Sequence, residues 1–496
     1  MNKVHIEFQR VQSWLFSVPR LRAMVGANAL LGEVLRVDLP NLACQAVRWS
    51  LASVSVDYPA MDSEDPLKEY DDPSADARAG ILSRDGGHFE AVFSIGAEAF
   101  AAAASDLLVR KLPDLRFRVL IDWTTWEKAN AELSTELPVF SRCEWMGKGL
   151  ASNSIRQGNE HAEVAIEVSR RHEAAGRAEN GQASDLASSL TRYTRLGKLR
   201  RLSDFDQLAG NGYLAVIHAD GNGVGGAAGS DEASRAAFFH RNRVLLRRAL
   251  HFAINRVCEG AGTAPLLLLM LGGDDVLVVC RAASALPFVV DLCRELERLQ
   301  TDRGTKFDLT LGIGVVFSKP TVPFHRLHEV AENLAASAKR RFRGFMEEGR
   351  GSVADWAVYT TAWVDDPAET RRRNWVCGSG DNRRVLSLRP LRVLGDALSS
   401  VEGLLRATGS LAEAPRSQLR YLVDQLHRGE ALSELAFTEL SKKAREALKD
   451  AGISEVWSRS GGGRPYLTSV LDLVEVFEIA RLGRFDREKE SANVEA

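Results

Sequence analysis

Leu266-Leu-Leu-Leu-Met-Leu-Gly-Gly-Asp-Asp-Val-Leu-Val-Val-Cys280 sets two adjacent aspartates beside a glycine pair, between two apolar runs. Residues 266–271 and 276–280 are each too short for a buried helix, and Gly272-Gly273 would break a single helix spanning both. The stretch therefore reads as a hairpin of two buried strands. Its glycines are expected to supply the positive φ angles of a tight turn and, lacking side chains, to let a ligand approach the backbone. Gly272 and Gly273 are thus candidate nucleotide-binding positions, and Asp274 and Asp275 stand at the rim of a sheet. An ordinary hairpin turn uses the same residue types; what distinguishes this one is what the flanking chain brings to its rim.

Upstream, residues 213–219 read as a strand ending at Asp220. Next come the glycine-rich connection Gly221-Asn-Gly-Val-Gly-Gly226 and a helix in which Phe238, Phe239, Leu245, Leu246, Ala249, Leu250, Ile254 and Val257 recur at three- and four-residue spacing. Downstream follow a helix over 286–300, a strand over 309–317, a helix over 324–346 and a strand over 353–359. With right-handed crossovers, a strand-helix-strand-strand-helix-strand unit forms a ferredoxin-like sheet in which the first strand lies beside the third. The end of the first strand then meets the turn between the second and third, so Asp220, Asp274 and Asp275 are expected on one edge. Clustered carboxylates repel unless a cation neutralises them. Hard oxygen ligands favour two Mg2+ or Mn2+ ions, about 3.5–4 Å apart in two-metal sites, able to activate a ribose 3'-hydroxyl and hold a triphosphate for in-line attack. Asp220, Asp274 and Asp275 are accordingly the candidate catalytic residues and metal ligands. Gly221, Asn222, Gly223 and Gly225 precede a helix, where backbone amides can cradle phosphates. Of the basic residues late in the fourth-strand helix, Lys339 is the candidate triphosphate ligand, a compact point charge, whereas Arg340, Arg341 and Arg343 suit a helix C-terminus. His218 reads as a packed histidine, and His325 and His328 as surface residues of a helix start.

The N-terminal part repeats this order. Residues 4–8 read as a strand and 12–35 as an apolar helix begun or kinked by Pro19. Residues 51–58 read as a second strand, and the acidic stretch 62–76 as a solvated loop. A hairpin over 81–94 turns at Asp85-Gly86-Gly87-His88, followed by a helix over 95–112 and a strand over 115–121. Residues 170–188, with alternating charges, suggest a linker with surface helices. Beyond Asp366 the pattern is mainly helical, over 394–407, 417–426, 433–451 and 466–482, with a charged, disordered tail after Arg484. The expected fold class is α/β (α+β): two ferredoxin-like palms in tandem plus a C-terminal helical domain. Residues 1–124 form a degenerate first palm, 125–204 an inter-palm region, 205–362 the catalytic palm and 363–496 the helical domain.

Lys plus Arg number 64 and Asp plus Glu 66, a formal net charge of -2, so any nucleic-acid binding must come from local patches. Cysteines 44, 143, 258, 280, 293 and 377 are scattered without a Cys-x-x-Cys pair, as in a reduced cytoplasmic protein, and no zinc site is expected around Cys143. No apolar run approaches the ~20 residues of a membrane span.

Ala219-Asp220-Gly-Asn-Gly-Val-Gly225, Leu271-Gly-Gly-Asp-Asp275, Gly312-Ile-Gly-Val-Val-Phe-Ser-Lys-Pro320, Phe324-His-Arg-Leu327 and Ala338-Lys339 resemble the polymerase-cyclase palm of the large-subunit family of type III CRISPR-Cas complexes, itself related to the GGDEF nucleotidyl cyclases. Val11-Gln-Ser-Trp14, Arg20, Arg22 and Gly26-Ala-Asn-Ala-Leu-Leu31 are similar to the opening of that family's first palm. The resemblance implies a nucleotidyltransferase that makes cyclic oligonucleotide or cyclic dinucleotide second messengers from nucleoside triphosphates, with ATP the expected substrate, in antiviral defence. It makes the first palm a degenerate partner, carrying Gly86-Gly87-His88-Phe89 where acids would stand. It also implies guide RNA, small effector subunits and a downstream effector of the product as partners. The family's N-terminal HD nuclease is not expected, since none of the ten histidines precedes an aspartate, and its zinc cysteines are reduced to Cys143. Two rival readings are a non-catalytic scaffold subunit of an RNA-guided complex, binding RNA through patches such as 195–201, and a GTP-using diguanylate cyclase, which Gly-Gly-Asp-Asp fits less well.

Overall fold

The computed structural model describes residues 1–494 except 46–47, 57, 59, 131–140, 158–159, 210–211, 225–231, 303–308, 345–350, 360–365, 380–381 and 459–464. The chain divides into two compact units, Met1–Phe205 with Gly223–Val278, and Asp206–Asn222 with Val279–Ala496. In chain order the strands of the two repeats are β1 Asn2–Gln9, β2 Ser50–Leu51, β3 Ile81–Ser83, β4 His88–Ile95, β5 Arg116–Ile121, β6 Thr124–Asn130, β7 Asn153–Gln157, β8 Glu160–Val164, β9 Leu214–Gly221, β10 Leu266–Gly272, β11 Asp275–Arg281, β12 Leu311–Ser318 and β13 Val353–Tyr359. Among the described residues no helix is long and apolar enough to cross a membrane.

In the first unit, Val4, Ile6 and Phe8 of β1 alternate inward, the two-residue period of a half-buried strand. β1 lies between β4 and β5, antiparallel to both, with β3 on the far side of β4. First strand beside third is the expected ferredoxin-like order. Helix Ala97–Lys111 buries Phe100 against Phe93, ring centroids 4.5 Å apart. The strand expected over 51–58 is only Ser50–Leu51, at the edge of β4.

Pro19 divides the expected first helix into Val11–Leu15 and Leu21–Glu33, and the latter runs on through a π turn, Val34–Asp38, into Leu39–Cys44. Against Leu21–Glu33 packs helix Ile166–Glu179, which sequence assigns to the surface. Its charged residues conceal a buried stripe, Val168, Arg171, Ala174, Ala175 and Ala178. Gly26 makes the approach possible, because a Cβ there would lie 1.7 Å from the Arg171 carbonyl oxygen. The Arg171 guanidinium lies 4.4 Å from the Trp14 ring centre and donates to Ser17 Oγ. Cys143 is buried with Val18, Ile155, Val164 and Val168 as a small apolar side chain.

The acidic stretch 62–76 is the largest departure from expectation: it is not a solvated loop. Asp65 and Asp71 are buried, and Arg247 joins them, Nη2 3.4 Å from Asp65 and Nη1 2.9 Å from Asp71. Arg36 bridges Asp71 (3.0 Å) and Asp85 (2.8 Å), and Arg243 takes the other Asp85 oxygen at 3.0 Å. Arg243 and Arg247 stand one turn apart on helix Glu232–Val257. Burial pushes the Asp71 carboxyl up, but Arg247, Arg36 and Arg243 together outweigh it and hold the group well below the usual carboxylate range. The acids read as solvated because their partners lie more than 30 residues away on one side and more than 150 on the other.

In the second unit, β12 runs antiparallel to β9, Gly312 opposite Asp220 and Gly314 opposite His218, and parallel to β13. Helix Phe324–Gly344 lies directly on β12: a Cβ on Gly314 would come within 2.0 Å of the Ala331 carbonyl oxygen. Helix Ala282–Asp302 packs against the C-terminal helix Val470–Val494, and Arg294 donates to Glu402 at 2.9 Å. That last helix continues through the tail expected to be disordered. The helix expected over 433–451 is two, Glu430–Glu439 and Lys442–Asp450, the second capped by Ser441 Oγ. The C-terminal region also holds a small sheet of Val376–Cys377, Arg384–Val385 and Tyr466–Leu467.

Candidate active site

Asp220 is the next-to-last residue of β9 in the second unit, paired in register with Gly312. Lys339 reaches it from helix Phe324–Gly344, and its Nζ forms an ion pair with Asp220 Oδ2. A Cβ at position 312 would stand 2.5 Å from Lys339 Cγ, so glycine there is what lets the lysine stem cross the strand toward the carboxylate. Asn222 is half-buried: its Nδ2 donates to Thr310 Oγ1 at 3.1 Å and its backbone amide to the Thr310 carbonyl at 2.8 Å. These bonds brace the exit of β9 and leave Oδ1 without a hydrogen-bond partner. Gly221 is buried within β9, and Gly223, at φ 66°, has open space where a side chain would be. Gly225 lies outside the described residues.

The hairpin from β10 to β11 belongs to the first unit up to Val278. Its turn is Gly273-Asp274, with positive φ (63°) at Gly273 and not at Gly272, which is still strand. The two glycines therefore differ: Gly273 makes the turn, and Gly272 allows close approach. The atoms nearest a Cβ on Gly272 are Gly86 Cα and N, 3.8 and 3.9 Å away, so the glycine turn of the first palm stands against this hairpin. From the same palm, Gln12 Nε2 donates to Asp275 Oδ2 at 3.1 Å. Gln12, 263 residues from its partner, is the site residue that sequence reading did not single out. Nothing in local spacing signals such a pairing. Asp274 and Asp275 are both half-buried at the rim.

His218, two residues before Asp220, is buried as expected. His328 is not the surface residue it was taken for; it is 4% exposed and stacks on His218 with ring centres 5.6 Å apart. His325 is exposed.

Residues 213–346 match the family model of the Cas10/Cmr2 second palm domain. This part of the chain is thus similar to the second palm of the large subunit of type III CRISPR-Cas complexes. The matched span includes Asp220, the Gly272 to Asp275 turn, Gly312 and Lys339. The fold is similar to that of a Csm1–Csm4 cassette in complex with pppApApA, with TM-score 0.50 and 14% identity over 97% of this chain and 69% of that one. Csm1 of T.onnurineus aligns over the same shares at 14% identity with TM-score 0.49. No curated protein matches the chain.

Proposed function

We propose that the second palm is a nucleotidyltransferase that joins nucleoside triphosphates into a cyclic oligonucleotide signal, with ATP the substrate. The observation that carries this reading is a Cas10/Cmr2 palm that retains Asp220, Asp274 and Asp275 and has a lysine ion-paired to the first of them. Three carboxylates are a hard-oxygen donor set, and the pairing of Asp220 with Lys339 marks a position where positive charge is taken up, so the residues fit Mg2+ or Mn2+. Bound there by Asp220, Asp274 and Asp275, the metal would supply charge neutralisation and activation of the attacking hydroxyl. In the reaction the 3'-oxygen of one nucleotide forms a bond to the α-phosphorus of the next. The bond from that phosphorus to the bridging oxygen of the β-phosphate breaks, pyrophosphate leaves and the hydroxyl proton passes to solvent.

Lys339 has a double role in this scheme. Without nucleotide it balances Asp220; with nucleotide its ammonium transfers to the triphosphate, so no unpaired charge is left at either stage. Gln12 holds one oxygen of Asp275 and so fixes the direction of the other. Gly272 and Gly86 leave a side-chain-free approach, and Gly273 and Gly223 keep backbone amides open to phosphate oxygens. The triphosphate-bearing adenylate in the similar Csm1–Csm4 cassette supports ATP as substrate and a small effector subunit as partner. Guide RNA would join such an assembly. Residues 1–124, 125–204, 205–362 and 363–496 are the proposed domains.

The test is incubation of the purified chain with each nucleoside triphosphate and Mg2+ or Mn2+, alone and with the small subunits and target RNA, with products identified by mass spectrometry. A cyclic adenylate that disappears in Asp274→Ala/Asp275→Ala is the expected result. Full product from that variant would overturn the assignment, and absence of nucleotide binding under every condition would leave a scaffold.

A further inference from the structure

The second palm carries another set of metal-ligating side chains, distinct from the aspartates. His218 lies on β9, opposite Gly314 of β12. The missing Cβ of Gly314 brings the Ala331 carbonyl down onto the sheet, and with it the turn of helix Phe324–Gly344 that carries His328 and Glu332. His328 and Glu332 are four residues apart and share one helix face. His328 Nδ1 is 3.6 Å from a Glu332 carboxylate oxygen, and the two imidazoles stack at 5.6 Å with 20° between their planes. One ligand atom from each of the three side chains lies within 4.8 Å of the others. Among the described residues no other group of three His, Cys, Asp or Glu side chains converges in this way.

Two imidazole nitrogens and one carboxylate oxygen are the donor set of a borderline transition metal such as Zn2+, with the fourth position left to water; Mg2+ prefers oxygen alone. Bonds of about 2.0–2.1 Å place tetrahedral ligand atoms about 3.3 Å apart. The histidines are buried on rigid elements, whereas the Glu332 side chain is 42% exposed, long and able to rotate inward while admitting water.

We propose that His218, His328 and Glu332 form a transition-metal site of the Zn2+ class that ties helix Phe324–Gly344 to β9. The same strand carries Asp220 and the same helix carries Lys339, so occupancy fixes the two elements whose side chains make that ion pair. The site holds structure and touches no reacting atom, and it stands whether or not the palm is a cyclase.

The experiment uses the full-length chain, freed of any affinity tag and stripped with EDTA. Co2+ is titrated in and followed by visible d–d absorption, with Zn2+ affinity measured by competition. One equivalent is expected, without the intense near-ultraviolet band of thiolate ligands and without displacement by millimolar Mg2+. Zn2+ should raise the melting temperature of the wild type. Glu332→Gln, at a half-exposed position that leaves the core intact, should weaken Zn2+ binding about tenfold or more and lose most of that rise, and His328→Gln should remove it. No stoichiometric band, a thiolate band, displacement by Mg2+, or equal binding by wild type and Glu332→Gln would each overturn the proposal.

Discussion

Replacing Arg247 by methionine removes one cation from the centre of the buried network while keeping most of the apolar stem. In the native chain Arg36, Arg243 and Arg247 face Asp65, Asp71 and Asp85, three charges against three. Arg247 is 2% exposed between Asp71 at 4% and Asp65 at 0%, so neither acid can turn to water when its partner is lost. Leaving a buried charge uncompensated costs about 3–5 kcal/mol, and the packing lost to methionine is minor beside it. For a domain of this size about 2–4 °C accompanies each kcal/mol, so the first unit should melt about 6–20 °C earlier. Calorimetry on the full chain reads this directly, provided the transitions of the two units are fitted separately. Adding Asp71→Asn restores two charges against two and should recover part of the loss, a coupling that a simple packing defect would not show. A fall equivalent to under about 1 kcal/mol would refute the reasoning, since an exposed pair has that value and the acids would then be solvated as composition suggests.

Acid should act through the same group. The Asp71 carboxyl is held below its ordinary value, so its stabilisation is present above about pH 4, the unfolded-state value, and is lost as pH falls through its folded-state value. The stability gap between wild type and Asp71→Asn, measured by urea melts, should therefore be full at pH 6 and close progressively below about pH 4. Gly314→Ala forces a Cβ to within 2.0 Å of a backbone oxygen, so helix Phe324–Gly344 must lift; about 1–3 kcal/mol should be lost in melts, together with Zn2+ affinity in the cobalt assay. Gln12→Ala should leave the melting profile unchanged and lower turnover of the proposed reaction several-fold, with Gln12→Glu, which sets a like charge against Asp275, lowering it further; unchanged turnover in both would remove Gln12 from the site.

What the sequence disclosed and what it hid follow one physical line. The hairpin around Gly272 to Asp275, the strand ending at Asp220 and the helix bearing Lys339 were legible because each is written in local periodicity and turn chemistry. The first palm's strands were legible for the same reason, except the strand read over 51–58, of which residues 52–56 are not strand. Hidden features all depend on residues far apart in the chain. Helix Ile166–Glu179 reads as surface because its buried face includes Arg171, whose charge is accommodated on Trp14, and no local pattern discloses that partner. His328 reads as a surface residue until Gly314 is seen to draw its helix onto the sheet beneath. Gln12 is an ordinary polar residue in a short helix until Asp275 is placed beside it.

The two glycine hairpins of the first unit show why duplication did not produce two equivalent sites. Asp85, at the turn of the first palm, has both oxygens taken by Arg36 and Arg243, is 7% exposed and can release neither without leaving a buried cation unpaired. His88 follows the Gly86-Gly87 turn, and burial, reinforced by neighbouring His5, pushes its imidazole below the ordinary histidine range, so it adds no cation to the turn near neutral pH. Asp275 at the second hairpin meets the neutral Gln12 amide, which orients a carboxylate without cancelling its charge. A carboxylate locked between buried guanidinium groups serves stability. Gly86 of the first hairpin stands against Gly272, and Arg36 and Arg243 neutralise the acid beside it. Loss of Arg247 is therefore expected to reach the second hairpin through Asp71, Arg36 and Asp85, and a fall in nucleotide affinity in Arg247→Met at temperatures well below its melting point would trace that path.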